Sequence, residues 1–327
     1  MAVLRRMLPG AVVAVLVLGL PLVVHDRYLL KVLSFVGIDV VVVLGLALLF
    51  GFAGQISLGQ AAFFGIGAYT TSVLVAALGW PWLGGVAAAV LVSAGAGALL
   101  ALPVGRLKGH YLAMATLGFG EIALIAFTEL KGITGGTDGL SGIPYPQVGS
   151  FVARAPEANY LLVWAVAIVA YVLAANVVAL RPGRALRALH GSEAGAQASG
   201  IDVARTKVTA FAVAAGLAGL GGALYAHLVG FISPGSFTIE LSILLVAMVA
   251  LGGMGSLPGA VVGAVLLGML PYLDAVVPGL TKSTVEALQS WEADIYGAVL
   301  ILVMLFMPHG LAGAFRRFFP GRGGEGS

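Results

Sequence analysis

Cysteine is absent from this chain of 327 residues, and charged residues make up only 9% of it. The lack of cysteine excludes thiol catalysis, disulfide bonds and Cys-ligated zinc. Soluble domains carry roughly 25% charged residues, whereas hydrophobic residues account for 60% of this sequence. No soluble core absorbs that much apolar surface, so the lipid bilayer must be the solvent for most of the chain.

Motifs for nucleotide binding and for catalysis are missing as well. The sequence contains no G-x-x-x-x-G-K-[ST], so it has no P-loop to hold the phosphates of ATP. The histidines are scattered singly and form no metal-ligand set, and no loop gathers a carboxylate pair or a Ser/His/Asp set. We therefore expect no enzyme active site and no bound cofactor, metal or nucleic acid. Any energy source must lie in another chain or in an ion gradient.

Apolar runs predict the fold. A transmembrane helix needs about 20 apolar residues. The fold predicted here is an all-α polytopic integral membrane protein with about ten transmembrane helices, some of them interrupted by Gly-rich breaks. A single transmembrane domain over 1–315 is expected, followed by a basic, Gly-rich tail at 316–327. The candidate spans lie near 9–24, 29–50, 59–79, 82–104, 111–130, 160–180, 208–230, 239–252, 257–272 and 292–307.

The basic residues predict the orientation. When ten spans are threaded from a cytoplasmic N-terminus, 12 of the 17 Lys and Arg residues fall on the cytoplasmic side and 5 fall outside. This asymmetry is the positive-inside bias of membrane proteins. It predicts that both termini and the loop 181–207 are cytoplasmic, whereas the loops 131–159 and 272–291 are external. The pair Arg5-Arg6 before an apolar run predicts a retained signal-anchor.

Polar breaks interrupt two of the apolar runs. Residues 51–69 read GFAGQISLGQAAFFGIGAY, and residues 251–266 read LGGMGSLPGAVVGAVL with the same Gly-x-x-Ser-Leu spacing. Non-helical backbone is tolerated at membrane depth only inside protein or beside a water-filled cavity, and such paired breaks point to the solute path of transporters. In the alternative, these side chains only satisfy freed backbone groups. The residues predicted to line the path are Gln55, Ser57, Gln60 and Ser256.

Two carboxylates fall inside predicted spans: Asp39 in the second and Glu121 in the fifth. A charge at the bilayer centre costs roughly 2.5–3.5 kcal/mol on insertion scales, so such residues usually face a cavity and have a function. We predict that both residues line the path. The alternative is a protonated carboxyl that is hydrogen-bonded to a neighbouring helix.

The predicted cytoplasmic loop reads RPGRALRALHGSEAGAQASGIDVARTK. Pro182 favours a helix start, Ser192 and Glu193 follow a break at Gly191, and Gly200 favours a helix stop. Two short helices outside the membrane, with small exposed residues, suit a docking surface for a soluble partner. A basic loop held at anionic lipid headgroups is the alternative.

Several segments, taken in order along the chain, resemble one family. The segments 51–69, TLGFGEI (116–122), TGGTDGL (134–140), 181–212, LYAHLVGFISPGSF (224–237), 251–264 and MPHGLAG (307–313) are similar to the LivM-type permeases of bacterial branched-chain amino acid ABC transporters. The resemblance implies an inner-membrane permease subunit that pairs with a homologous LivH-type permease. It also implies two cytoplasmic ATPases, which use the ATP, and an extracytoplasmic solute-binding protein.

The same resemblance concerns the cytoplasmic loop. Residues 184–200 resemble the coupling region of ABC importers, whose signature is E-A-A-x3-G. Gly195 replaces the second Ala of this signature, and the final Gly lies one residue further along. The resemblance implies ATPase coupling through Arg184, Arg187, Glu193, Ala194 and Gly200.

Other functions remain open from the sequence. Urea or short amides are alternative substrates of an importer of this kind. A proton- or sodium-coupled secondary transporter would use Asp39 and Glu121 as its coupling carboxylates. A passive channel for urea or amides would work as a lone subunit.

Overall fold

A computed structural model describes residues 15–24, 26–148, 151–272, 297–298 and 301–302, and helices dominate these ranges. Wider helical turns at Ala47–Phe52 and Val73–Ala77 continue the first two main helices. In chain order, the main helices are α1 (Arg27–Leu46), α2 (Gln60–Ser72), α3 (Trp82–Val104), α4 (His110–Glu129), α5 (Pro156–Ala179), α6 (Arg181–Gly191), α7 (Glu193–Ala198), α8 (Val203–Val229), α9 (Ile239–Gly252) and α10 (Leu257–Gly268).

Seven helical segments of the described part are long and apolar enough to cross a membrane, and Leu257–Tyr272 is a shorter apolar one. Each corresponds to one of the predicted spans between 29 and 272, so the all-α polytopic fold is confirmed. The predicted span 9–24 is described only from residue 15 and the span 292–307 only at 297–298 and 301–302. The loop beyond residue 272 and the tail 316–327 lie outside the described residues. The count of ten spans therefore stays a prediction.

Side chains at the predicted turns start several helices. Asp26 accepts a hydrogen bond from the backbone of Tyr28 at 2.9 Å and caps α1, and Asp202 accepts one from Arg205 at 3.0 Å and caps α8. Such caps satisfy amides that have no partner within the helix. Pro156 and Pro182 stand in the first turns of α5 and α6, where a missing N–H costs nothing.

Helix α8 is the centre of the bundle and packs against α1, α2 and α3. Small residues let the backbones approach closely: a Cβ built on Gly222 would overlap the carbonyl oxygen of Phe64, and one on Gly67 would overlap the backbone of Gly219. Close contact through small residues drives helix association in lipid, where the hydrophobic effect gives no preference for helix over lipid tail. Helices α2 and α8 are thus in backbone contact.

The segments predicted to share the cytoplasmic side meet at one end of the bundle, which we call the α6–α7 end. Gly54 lies against His190 of α6, and Gly51 lies against Gly255. The turn between α3 and α4 is joined to α7 by an ion pair of Lys108. This grouping agrees with the predicted threading of the chain.

The opposite end carries a folded cap formed by the predicted external loop. Strand β1 (Leu140–Ser141) pairs antiparallel with β4 (Phe231–Ile232), and β2 (Gln147–Val148) pairs with β3 (Phe151–Val152). The ring nitrogen Nδ1 of His227, in α8, lies 2.7 Å from the carbonyl oxygen of Pro144, to which it donates. The loop is therefore tied to the bundle at several points.

Candidate functional site

The two polar breaks are neighbours in the structure. A Cβ built on Gly51 would lie 3.0 Å from the backbone nitrogen of Gly255. Gly54 and Gly253 adopt φ angles of 67° and 110°, a region that favours glycine. Both segments of the chain can therefore turn sharply after α1 and after α9. The repeated Gly-x-x-Ser-Leu spacing corresponds to two breaks at the same end of the bundle.

The first break reaches the mid-length of helix α3. Residues between Gly54 and Gln60 are non-helical, and α2 begins only at Gln60. Ser93, the central residue of α3, donates a hydrogen bond to the carbonyl of Phe63 in the first turn of α2, at 3.2 Å. The start of α2 thus lies near the mid-depth of α3. The segment 54–59 therefore leads from the α6–α7 end into the interior.

Neighbouring helices satisfy the backbone of this break. The amide of Leu58 donates to Thr116 Oγ1 of α4 at 3.0 Å, and the amide of Ala61 donates to Ser242 Oγ of α9 at 3.0 Å. Non-helical backbone inside a membrane needs such partners. Sequence reasoning missed Thr116 and Ser242. Their only signal was a hydroxyl within an apolar span.

The polar side chains of the break are buried and largely without partners. Ser57 and Gln60 are 0% exposed and Gln55 is 6% exposed. Within the described residues, Ser57 Oγ, Gln55 Oε1 and both amide atoms of Gln60 have no hydrogen-bond partner, although Gln55 Nε2 donates to the carbonyl of Ala53. A buried polar group without a partner costs about 1–3 kcal/mol. Ser57 and Gln60 therefore do not serve the freed backbone, which favours their role in a path.

The remaining predicted path residues lie in three different places. Glu121 is half-buried on α4 and lines a crevice with Leu58 and Ser242, next to the break. Ser256 accepts a hydrogen bond from the amide of Gly259 at 3.1 Å and caps α10 beside the second break. Asp39 points at Gly268 on α10. Glu121 thus lies beside Leu58 of the break, whereas Asp39 lies against α10.

The predicted coupling loop forms two short helices, α6 and α7, as expected. Leu186, Leu189 and Ala196 are buried against the bundle. Ser192 caps α7 by accepting a hydrogen bond from Gly195 at 3.2 Å. The predicted coupling residues that face outward are Arg184, Arg187, Ala194 and Gly200.

Glu193 differs from the other predicted coupling residues because its carboxylate faces the bundle. Oε1 lies 2.6 Å from Nζ of Lys207, and Oε2 lies 3.1 Å from Nζ of Lys108. Lys207 is 1% exposed and also donates to the carbonyl of Gly105 at 2.8 Å. Burial raises the pKa of Glu193, but the hydrogen bonds from Lys207 and Lys108 outweigh it and hold this pKa below its ordinary value. The side chain fastens α7 to the ends of α3 and α8.

Apolar helices around a polar break at the mid-length of α3, with short helices exposed at one end, define a polytopic membrane permease. Residues 28–307 match the family described as "Branched-chain amino acid transport system / permease component". The chain belongs to this family. It is accordingly a multi-pass inner-membrane transport subunit and not an enzyme, and the family implies that partner subunits use ATP.

Relatives agree with this family. The permease protein LivM of Salmonella typhimurium, from a high-affinity branched-chain amino acid transport system, is 34% identical over 84% of this chain and 67% of its own length. Escherichia coli LivM is 33% identical over 91% of this chain and 73% of its own length. Escherichia coli LivH is 27% identical over 83% of this chain and 90% of its own length. No solved structure matches. Similarity to both LivM and LivH indicates a pair of permeases in such transporters.

Proposed function

We propose that the chain forms half of the translocation path of an ABC importer for branched-chain amino acids, beside a homologous LivH-like permease. The relatives named LivM and LivH belong to branched-chain amino acid transport systems, which supports this substrate class. Two cytoplasmic ATPases and an extracytoplasmic solute-binding protein complete the assembly. Both termini and the α6–α7 end face the cytoplasm.

The single observation that carries the proposal is the group of buried, unpartnered polar atoms of Ser57 and Gln60 near mid-membrane. A zwitterionic amino acid needs donors for its carboxylate and acceptors for its ammonium group. A neutral amide such as Gln60 offers both. Because the side chains are uncharged, the solute is held weakly enough to leave again. Glu121, Asp39 and Ser256 complete the proposed path, with Asp39 on its α10 side.

Coupling follows from the contact between α6 and the break. His190 of α6 lies against Gly54, the first residue of the segment that leads to Gln60. The ATPases dock on the outward face of α6 and α7, at Arg184, Arg187, Ala194 and Gly200. A movement of these helices therefore reaches the polar side chains directly. Docking shifts the permease between its states only because the ATPases bind the two states with different affinity.

The solute-binding protein docks on the opposite end, where the loop 131–159 forms the folded cap. The loop 272–291, proposed as a second docking element, lies outside the described residues. The ion-coupled alternative needs carboxylates that work together. Asp39 faces α10 whereas Glu121 lies beside α9, so no observation favours this alternative.

The complete assembly in proteoliposomes tests the proposal. We expect ATP-dependent uptake of labelled leucine that isoleucine and valine inhibit and that urea and acetamide do not. Gln60→Leu should abolish this uptake while the subunits still co-purify. Leu91→Ile, at an exposed position of α3, is the matched control and should transport normally. Uptake by the purified chain alone, or uptake of urea only, would contradict the proposal.

A further inference from the structure

Helix α4 is less buried than the other long helices of the described part. Only 22% of its most apolar stretch is buried, compared with 28% for α5, 33% for α3 and 61% for α8. A transmembrane helix with so little contact to its own bundle presents most of its surface to something else. The surroundings of this surface are lipid or another protein.

The exposed side of α4 is one continuous helical face, which we call the α4 face. Its large side chains are more than half exposed. Gly118 lies among them, and a Cβ added there would meet nothing within 4 Å, so the face has a notch. A notch of this kind lets another helix approach closely. The α4 face consists of Tyr111, Met114, Gly118, Ile122 and Ile125.

A carboxylate at the edge of this face distinguishes it from the other exposed surfaces. Helices α3 and α5 also expose apolar side chains, such as Leu99 and Leu173, and lipid tails cover these well. Glu121 lies near the centre of α4 and is only half-buried. Lipid tails offer no hydrogen bond at that depth, so an ionisable group there pairs with protein or faces a water-filled cavity.

Glu121 also connects the α4 face to the interior break. The crevice between α4 and α9 is lined by Glu121 together with Leu58, Ala61 and Ser242. Leu58 lies between the unpartnered Ser57 and Gln60 in sequence, and its amide is held by Thr116 of α4. The break therefore reaches the crevice at the edge of α4 through Leu58.

We propose that the companion permease packs on the α4 face and closes the path over Glu121. This inference rests on the proposed function, because it needs a second permease. The occupant is a transmembrane helix of the companion that fits the notch at Gly118 and offers a hydrogen-bond donor opposite Glu121. The path then runs between the two permeases, and its wall from this chain includes α2, α4 and α9.

Photo-crosslinking on the complete transporter tests this surface, and the absence of cysteine makes single-cysteine variants straightforward. Met114→Cys and Ile125→Cys place a benzophenone maleimide on the α4 face. Leu99→Cys on α3 and Leu173→Cys on α5 are controls with similar exposure. The companion is used free of its own cysteines, and both permeases carry different tags.

We expect labels at Met114 and Ile125 to crosslink to the companion several times more strongly than labels at the two controls. Equal yields at all four positions, or a higher yield from α3 or α5, would overturn the inference. ATP-dependent leucine uptake is measured on the unlabelled complexes. If uptake is normal and the crosslinks do not favour α4, the inference fails and the proposed function stands. If uptake is absent from the wild-type complex, the proposed function itself fails.

Discussion

The carboxylate of Glu193 lies 2.6 Å from the ammonium group of Lys207, and the same ammonium group donates to the carbonyl of Gly105 at 2.8 Å. One buried lysine near the start of α8 thus joins this helix to α7 and to the end of α3. Lys207 is 1% exposed, so salt screens this pair far less than a surface pair. Glu193 holds α7 on the bundle, while the outward side of α6 and α7, where we propose that the ATPases dock, stays exposed.

Replacement of Glu193 should uncouple the transporter. In Glu193→Gln, the buried charge of Lys207 loses its carboxylate, and breaking a buried pair costs roughly 3–5 kcal/mol. We expect ATP-driven uptake to fall by about tenfold or more. A loss of about 1.4 kcal/mol in the free energy that holds α7 on the bundle already lowers the corresponding equilibrium constant tenfold. ATP hydrolysis and uptake are measured together in proteoliposomes.

The matched control for Glu193 is the exposed pair of Arg205 and Asp202, whose side chains lie 3.1 Å apart and are 89% and 53% exposed. Surface pairs contribute about 0–1 kcal/mol. Arg205→Gln should therefore retain uptake. Equal uptake by Glu193→Gln and Arg205→Gln would refute the anchoring role of Glu193.

The stability of the chain should depend on acidic pH through Glu193. Its pKa in the folded protein lies below the ordinary value of 4.5. A depressed pKa stabilises the fold above the unfolded value, and this stabilisation is lost as the pH falls through the folded value. We expect the thermal midpoint in detergent to fall as the pH drops below 4.5. The fall should be smaller in Glu193→Gln, and an identical pH dependence of the two proteins would contradict this linkage.

Adding a methyl group at Gly222 should disrupt the contact of α8 with α2. The new Cβ would overlap the carbonyl oxygen of Phe64, and overpacking costs typically about 1–3 kcal/mol. Gly95→Ala on α3 is the control, because nothing lies within 4 Å of its Cβ. Thermal unfolding in detergent should show a lower midpoint for Gly222→Ala and an unchanged or higher one for Gly95→Ala. The reverse order would show that α2 and α8 are not packed backbone to backbone.

Substitutions at Ser57 and at Thr116 should distinguish an effect on transport from an effect on stability. Thr116→Val removes the acceptor of the Leu58 amide, and an unmet buried group costs about 1–3 kcal/mol. Ser57→Ala removes a hydroxyl that has no partner in the described structure. We therefore expect Thr116→Val to lower the thermal midpoint and Ser57→Ala to keep it while uptake falls. Normal uptake with Ser57→Ala would remove this residue from the proposed path.

The sequence predicted the breaks well because their cause is local. Gly, Ser and Gln next to long apolar runs indicate a helix interruption wherever the chain folds, and the two short helices around Ser192 follow from caps and stops. The count of spans followed from apolar length, and the structure describes eight of them.

Other features depend on residues that meet only after folding. The side chain of Glu193 points inward because it pairs with Lys108 and Lys207, which belong to other elements. The local sequence around Glu193 would be the same for a contact with an ATPase and for an internal ion pair. Asp39 and Glu121 are both mid-span carboxylates, yet helix rotation places only Glu121 beside the break. The hydroxyls of Thr116 and Ser242 act on backbone groups of a distant segment, which no periodicity encodes. The strand pairs of the cap, each two residues long, are too short for a pattern.

Backbone contact between α2 and α8 limits which part of the molecule can swing. At Gly67, Gly219 and Gly222 no side chain separates the two helices, so there is nothing to rearrange between them. The pair must travel as one solid block, and the polar entrance at Gln60 is fixed to that block. Any gating movement at Gln60 must therefore come from the elements on the opposite side of the path. A single methyl group added between α2 and α8 would thus stop transport without contacting the solute.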